Sequence, residues 1–144
     1  MNIRLIIAFV LSLFFKQSFA QAKIVVNITN IKNDKGVCRT CLFNNSSAFS
    51  GESGQPVQCL SITVKNKTAQ ASFENITAGN YAVMVFHDAN SNNKIDRNFL
   101  GIPKEGYGAS KNILPFASAP SFNENMFILK DRTTSNILIS LRNL

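Results

Sequence analysis

Residues 81–86, with the sequence Tyr-Ala-Val-Met-Val-Phe, decide the fold of this 144-residue chain. All six side chains are apolar or aromatic, which is typical of a strand that is buried on both faces in the centre of a sheet. The stretch 87–110, HDANSNNKIDRNFLGIPKEGYGAS, follows at once and is rich in Asp, Asn and Gly. This contrast predicts a central strand followed by one long loop that carries the site.

The segments around this strand alternate apolar and polar residues with a period of two, as half-buried strands do. Strands are predicted at 23–31, 37–43, 59–64, 68–73, 126–129 and 137–141. The Ser- and Asn-rich stretch 44–56 is predicted to be a loop, and 120–124 a single helical turn with a capping box. No segment sustains a helical period. The sequence therefore predicts an all-β domain, a single antiparallel, immunoglobulin-like β-sandwich of about seven strands.

The first 20 residues have the pattern of a cleavable signal peptide. Arg4 precedes an apolar run over 5–15, and the small residues Ser18 and Ala20 occupy the positions before the expected cleavage point. A bilayer-spanning helix needs about twenty apolar residues, so this run is too short to span a membrane. We expect a mature domain at 21–144, a periplasmic or secreted location, and a protein that is not integral to the membrane.

The charge pattern argues against a nucleic-acid partner. The formal net charge is +7, and removal of Arg4 and Lys16 with the signal peptide lowers it to +5. The remaining Lys and Arg residues are scattered singly, whereas a nucleic-acid interface needs a basic patch or stripe.

Cys38, Cys41 and Cys59 are the three cysteines. In an oxidising compartment one disulfide can join Cys59 to either Cys38 or Cys41, and the sequence leaves both pairings open. A zinc or redox site is disfavoured, because Cys38 and Cys41 lie three apart in a predicted strand and should point to opposite faces.

The first part of the long loop spaces oxygen ligands as a calcium loop does. The completing glutamate is absent, since Phe99 occupies its position, and Glu105 is the nearest replacement. Short polar side chains that hydrogen-bond their own backbone, without any ion, explain the same pattern. The calcium interpretation gives a weak site formed by Asp88, Asn90, Asn92, Asp96 and the backbone carbonyl of Lys94.

The rest of the stretch offers residues for a loop surface. The single histidine either ties the loop down through a hydrogen bond or serves as a ligand or general base. Tyr107 is either an aromatic platform for a ligand or a plug beneath the loop. No nucleophile motif accompanies them, so no catalytic residue is assigned. The residues of this predicted surface are His87, Lys104, Glu105, Tyr107 and Ser110.

Several motifs together resemble a known family. They are Phe73-x-x-Ile76-x-x-Gly79-x-Tyr81-x-Val83-x-Val85, His87-Asp88-x-Asn90-x-Asn92-x-x-x-Asp96, the run 100–110, and Pro120-Ser121-Phe122. The first motif resembles an edge of prealbumin-like and carboxypeptidase-regulatory-like sandwiches, and the whole set resembles the bacterial secreted domain-of-unknown-function family 2141. The resemblance implies an exported Gram-negative protein with a prealbumin-like sandwich and no established activity. Asn93 stands where that family usually has glycine.

These observations support two main functional hypotheses. The first is an exported, non-catalytic binding or structural module, with or without a weak calcium site in the 88–96 loop. The alternative is an enzyme, or an accessory domain of one, that uses His87, Asp88 and Glu105. A third hypothesis is an adaptor whose free sheet edge pairs with another envelope protein.

Overall fold

The computed structural model describes residues 21–116 and 118–144; the predicted signal peptide, residues 1–20, lies outside the described residues. These residues contain eight strands and two short helices. The strands are β1 (Ala22–Thr29), β2 (Val37–Phe43), β3 (Gln58–Thr63), β4 (Ala69–Ile76), β5 (Gly79–Asp88), β6 (Tyr107–Ala109), β7 (Phe127–Leu129) and β8 (Thr134–Ser140). The helices are α1 (Ser46–Ser50) and α2 (Phe122–Asn125). Within these residues, no helix is both apolar enough and long enough to cross a bilayer.

The strands form two sheets, which confirms the all-β sandwich. One sheet has the order β4-β1-β8, and the other has the order β3-β2-β5-β6, with β7 also paired to β5. The sequence predicted an antiparallel sandwich, but β1 pairs with β8 in the parallel direction. Just beyond β8, Arg142 exchanges two backbone hydrogen bonds with Tyr107 on β6, and this links the two sheets along one edge.

The core lies between the sheets and follows the predicted alternation. In β1 the side chains of Ile24, Val26 and Ile28 are buried, and those between them are only partly covered. From the other sheet, Val83 and Val85 of β5 are fully buried against this layer. Burial of such side chains stabilises a fold by about 1.5–3 kcal/mol each, so the period-two pattern is the main determinant of this sandwich.

A second, smaller cluster covers the outer face of the five-stranded sheet. Phe49 of α1 packs edge-on against Phe43 of β2, with ring centroids 5.3 Å apart, and against Phe122 of α2, 5.9 Å away. Ala82 of β5 is buried beneath them. This second layer explains why residues 81–86 are apolar on both faces.

The helix α1 corrects the prediction of an irregular loop at 44–56. The Asn45 side chain accepts a hydrogen bond from the Ala48 N–H, and Gly51 ends the helix in the left-handed conformation with φ 78°. These are standard start and stop signals, and five residues are too few to show a helical period. The predicted turn at 120–124 is confirmed by α2, where the Ser121 hydroxyl accepts from the Glu124 N–H and donates to the Glu124 carboxylate.

Candidate functional site

Asp88, the last residue of β5, organises the first part of the loop. It is fully buried, and its carboxylate accepts hydrogen bonds from two backbone groups, Asn92 N–H at 3.0 Å and Asn93 N–H at 2.8 Å. The chain can turn this tightly because Ser91 and Asn93 adopt positive φ values of 58° and 66°. Asn accepts this conformation more readily than most residues, which is why it can stand at a glycine position. Charge-assisted hydrogen bonds thus hold the loop around a buried carboxylate.

The five residues of the calcium interpretation come together in this loop, but they bond mainly to one another. Asp96 accepts from the side-chain amides of Asn90, at 2.7 Å, and Asn92, at 3.0 Å. The Asn92 side-chain oxygen in turn accepts from the Lys94 N–H at 2.9 Å. A cation would have to replace these contacts. Among the described residues no group of three His, Cys, Asp or Glu side chains is arranged to hold a metal ion. The calcium interpretation and the ion-free interpretation of this loop both stay predictions.

Glu105 closes the loop. One carboxylate oxygen accepts from the Ala89 N–H at 3.0 Å, and the other accepts from the Asp96 N–H at 2.9 Å. Residues at the two ends of the loop are therefore tied to one half-buried side chain. The structure uses this carboxylate to order the backbone, where the sequence had offered it as a replacement calcium ligand or as a surface charge.

Two residues of the predicted loop surface, His87 and Ser110, are buried, and His87 has the hydrogen bond to a carbonyl group that the first of its two interpretations predicted. His87 is 2% exposed, and its Nε2 atom lies 2.7 Å from the carbonyl oxygen of Lys35, so the ring donates there. Ser110 is also buried, accepting from the Val83 N–H and donating to the Asn125 carbonyl oxygen. Both side chains lie within or beside paired strands, because β5 continues to Asp88 and β6 forms inside the predicted loop.

The other members of that surface differ from one another. Lys104 is exposed, and Tyr107 is half-buried on β6. Tyr107 shares the lining of a cavity with residues of the loop, and its role as a plug or as an aromatic platform stays a prediction. The glycines beside it serve a different purpose: a Cβ on Gly108 would overlap the Ile139 side chain, and one on Gly106 would overlap Asn143. They allow β6 to pack closely against the end of the chain.

Residues 96–104 form a small hairpin within the predicted loop. Its backbone bonds run from Lys104 N–H to the Asp96 carbonyl oxygen, at 2.8 Å, and from Asn98 N–H to the Ile102 carbonyl oxygen, at 2.9 Å. The Asn98 side chain caps the tip by accepting from two backbone N–H groups, and Gly101 takes a φ of 78°. Asn98 and Gly101 are turn residues, and they are the sequence signal that could have identified this hairpin.

A cavity of about 590 Å³ lies between this hairpin, α1 and the outer face of the five-stranded sheet; we call it the apolar groove. Met84, Phe86 and Tyr107 from the sheet, together with Phe49 from α1, contribute to its lining. Its other members include Arg97, Leu100 and Ile102 from the hairpin, and Phe116 and Leu144 from later in the chain. His87, Glu105 and Ser110 are not part of the lining.

The rim of the groove exposes large apolar side chains to solvent. Phe116 is 96% exposed and Leu100 is 68% exposed, and both line the groove. Next to Leu100, at the tip of the hairpin, Phe99 is 94% exposed. Sequence reasoning missed this surface, although an apolar pair at 99–100 inside a polar loop was a signal for it. A cluster of exposed apolar side chains commonly marks a binding site.

The cysteines adopt one of the two pairings that the sequence left open. Cys41 and Cys59 lie directly opposite each other in the register of β2 and β3, with their sulfur atoms 1.97 Å apart in a disulfide. Cys38 is a free thiol in the core, and burial raises its pKa from 9.0 to about 12. Cys38 faces the space between the sheets, whereas Cys41 packs beside the outer cluster.

The fold and site together define a β-sandwich with a carboxylate-closed loop and an apolar groove on its outer face. The chain belongs to the family described as "Uncharacterized protein conserved in bacteria (DUF2141)", which matches residues 26–136. No curated protein and no solved structure shows a significant match to this chain.

Proposed function

We propose that the protein is an exported, non-catalytic binding module, and that the apolar groove is its recognition surface. The observation that carries this proposal is the groove itself, with exposed Leu100 and Phe116 at its rim. Its volume of about 590 Å³ falls within the range of small-molecule sites, and its mostly apolar lining is typical of them. When a ligand covers large apolar side chains that were exposed to water, the free energy of the system falls, and this favours binding.

Two observations support export to the periplasm or beyond. The first is the signal-peptide pattern of residues 1–20. The second is the Cys41–Cys59 disulfide, since disulfides persist in oxidising compartments and are rare where thiols are kept reduced.

The geometry favours a binding module over the enzyme alternative. His87, Asp88 and Glu105 were the residues that an enzyme would use, and each is engaged with backbone groups. His87 and Asp88 are buried, and none of the three lines the groove. A general acid or base must reach its substrate within hydrogen-bond distance, and these side chains are directed into the fold.

The proposal is tested with a neutral apolar probe, N-phenylnaphthylamine, whose fluorescence rises in apolar surroundings. We expect saturable binding to the purified protein and much weaker binding to the double variant Leu100→Gln/Phe116→Ser. Both positions are exposed, so the fold should tolerate the changes. Ile128→Gln is the matched control, because Ile128 is 67% exposed on β7 and does not line the groove. Non-saturable binding, or equal binding to all three proteins, would contradict the proposal.

A further inference from the structure

The charge distribution around the apolar groove identifies the class of ligand that it fits. Among the described residues that line it, Arg97 is the one charged side chain. Arg97 is exposed, and one of its Nη atoms donates to the Gly101 carbonyl oxygen at 2.9 Å, which fixes the guanidinium against the hairpin. A guanidinium has five N–H donors, so most of them are available to a ligand at the mouth of the groove.

The acidic side chains nearest to Arg97 in sequence form no ion pair with it among the described residues. Asp96 accepts from the amides of Asn90 and Asn92, and Glu105 accepts from two backbone N–H groups of the loop. Neither lines the groove, and no other acidic side chain among the described residues does. Arg97 therefore supplies the one charged side chain of this apolar lining, and a guanidinium is complementary to a ligand with an anionic group.

The lining also discriminates between a hydrocarbon chain and a peptide. An extended peptide would need partners for its backbone N–H and C=O groups, and a sheet edge would be the usual source. The edge of β5 beside the groove is already paired with β6 and β7, and Tyr107 of β6 bonds to Arg142. Besides Arg97, the lining residues with polar side chains are Ser50, Tyr107 and Ser118. A hydrocarbon chain leaves no polar group unpaired there.

On these grounds, and resting on the proposed function of the groove, we infer that its ligand is an anionic amphiphile with a single hydrocarbon chain. The chain lies between Phe49, Met84 and the hairpin, and covers Leu100 and Phe116 at the rim. Its acidic headgroup, of the carboxylate class, pairs with the Arg97 guanidinium. The contribution of the chain follows from apolar burial, and that of the headgroup from charge-assisted hydrogen bonds.

The test measures displacement of N-phenylnaphthylamine by dodecanoate and by dodecyltrimethylammonium, each below its micelle concentration. We expect dodecanoate to bind at least tenfold more tightly than the cation of equal chain length. Decanoate, which has two fewer methylene groups than dodecanoate, should bind about tenfold more weakly. Arg97→Gln should reduce dodecanoate affinity about tenfold, since it removes a charge-assisted bond, and should remove most of the preference for dodecanoate over the cation.

Lys111→Gln is the control for net charge, because Lys111 is exposed and does not line the groove. This variant should keep the preference for dodecanoate. If the neutral probe binds but the anion and the cation compete equally, or if Lys111→Gln acts as Arg97→Gln does, the inference is overturned while the proposed function stands. If the neutral probe does not bind to the groove, both fail.

Discussion

Replacing Glu105 with glutamine tests whether this side chain closes the loop. The carboxylate accepts from Ala89 N–H at 3.0 Å and from Asp96 N–H at 2.9 Å. Glutamine has the same size but one acceptor oxygen, so one backbone N–H would lose its partner and face an amide NH₂ group. Hydrogen bonds to charged groups contribute about 1.5–3 kcal/mol. Because Glu105 is half-buried, we take the lower part of this range, about 2 kcal/mol, which corresponds to a fall in Tm of about 8 °C for a domain of this size.

The assay is urea and thermal unfolding followed by far-ultraviolet circular dichroism, since the chain contains no tryptophan. The measurement is made in EDTA and repeated with calcium in place of EDTA, so that a loss of hydrogen bonding is distinguished from the loss of an ion. Glu52→Gln is the matched control, because Glu52 is exposed and the substitution changes the charge equally. If the free energy of unfolding of Glu105→Gln lies within about 0.5 kcal/mol of that of the unmodified protein, or falls only when calcium is present, Glu105 does not close the loop through these two hydrogen bonds.

Three further predictions concern the loop, the free thiol and a turn. Calcium at 1 mM should change Tm by less than about 1 °C, because the side chains of Asp88 and Asp96 are already bonded; a site with Kd near 10⁻⁴ M would add about 1.4 kcal/mol and contradict this. Cys38 should resist thiol reagents in the native protein at pH 8 and react in denaturant. Since burial raises its pKa from 9.0 to about 12, its contribution to stability is complete below pH 9 and is lost as the pH rises towards 12; a Cys38→Ala variant with the same slope of stability over that range would refute this. Gly36→Ala should destabilise by more than about 2 kcal/mol in urea unfolding, because a Cβ there would overlap the Asp88 carbonyl group; Gly51→Ala also has positive φ but has open space, and should cost only the backbone strain of about 1–2 kcal/mol. Equal losses of unfolding free energy in the two glycine variants would contradict this, because they would show that the overlap at Gly36 is removed at little cost in free energy.

The polar part of the site was only partly predictable from the sequence. Asp88, Asn90, Asn92 and Asp96 were identified as interacting oxygen-bearing side chains, because their spacing is local and short polar residues bond within a few positions of themselves. The apolar groove was not predicted. Its lining combines Phe49, Arg97 and Phe116, which are far apart in the chain, and no local period records such a juxtaposition.

The sequence by itself determined the fold class. Alternation in 24–28 and 69–73, and an apolar run at 81–86, settle which faces are buried, since side chains of a strand alternate between its faces whatever the strand pairs with. The same local rules located most of the strands and the capped turn that became α2.

The tertiary structure alone decided what depends on pairing between distant segments. The register of β2 against β3 sets Cys41 opposite Cys59, and the parallel pairing of β1 with β8 could not be read from either strand. The positions of His87 and Ser110 inside the fold follow from β2 and β6 packing against β5. Sequence patterns report which side of a strand is apolar, whereas the choice of neighbour comes from the packing of the whole chain, and that packing created the groove.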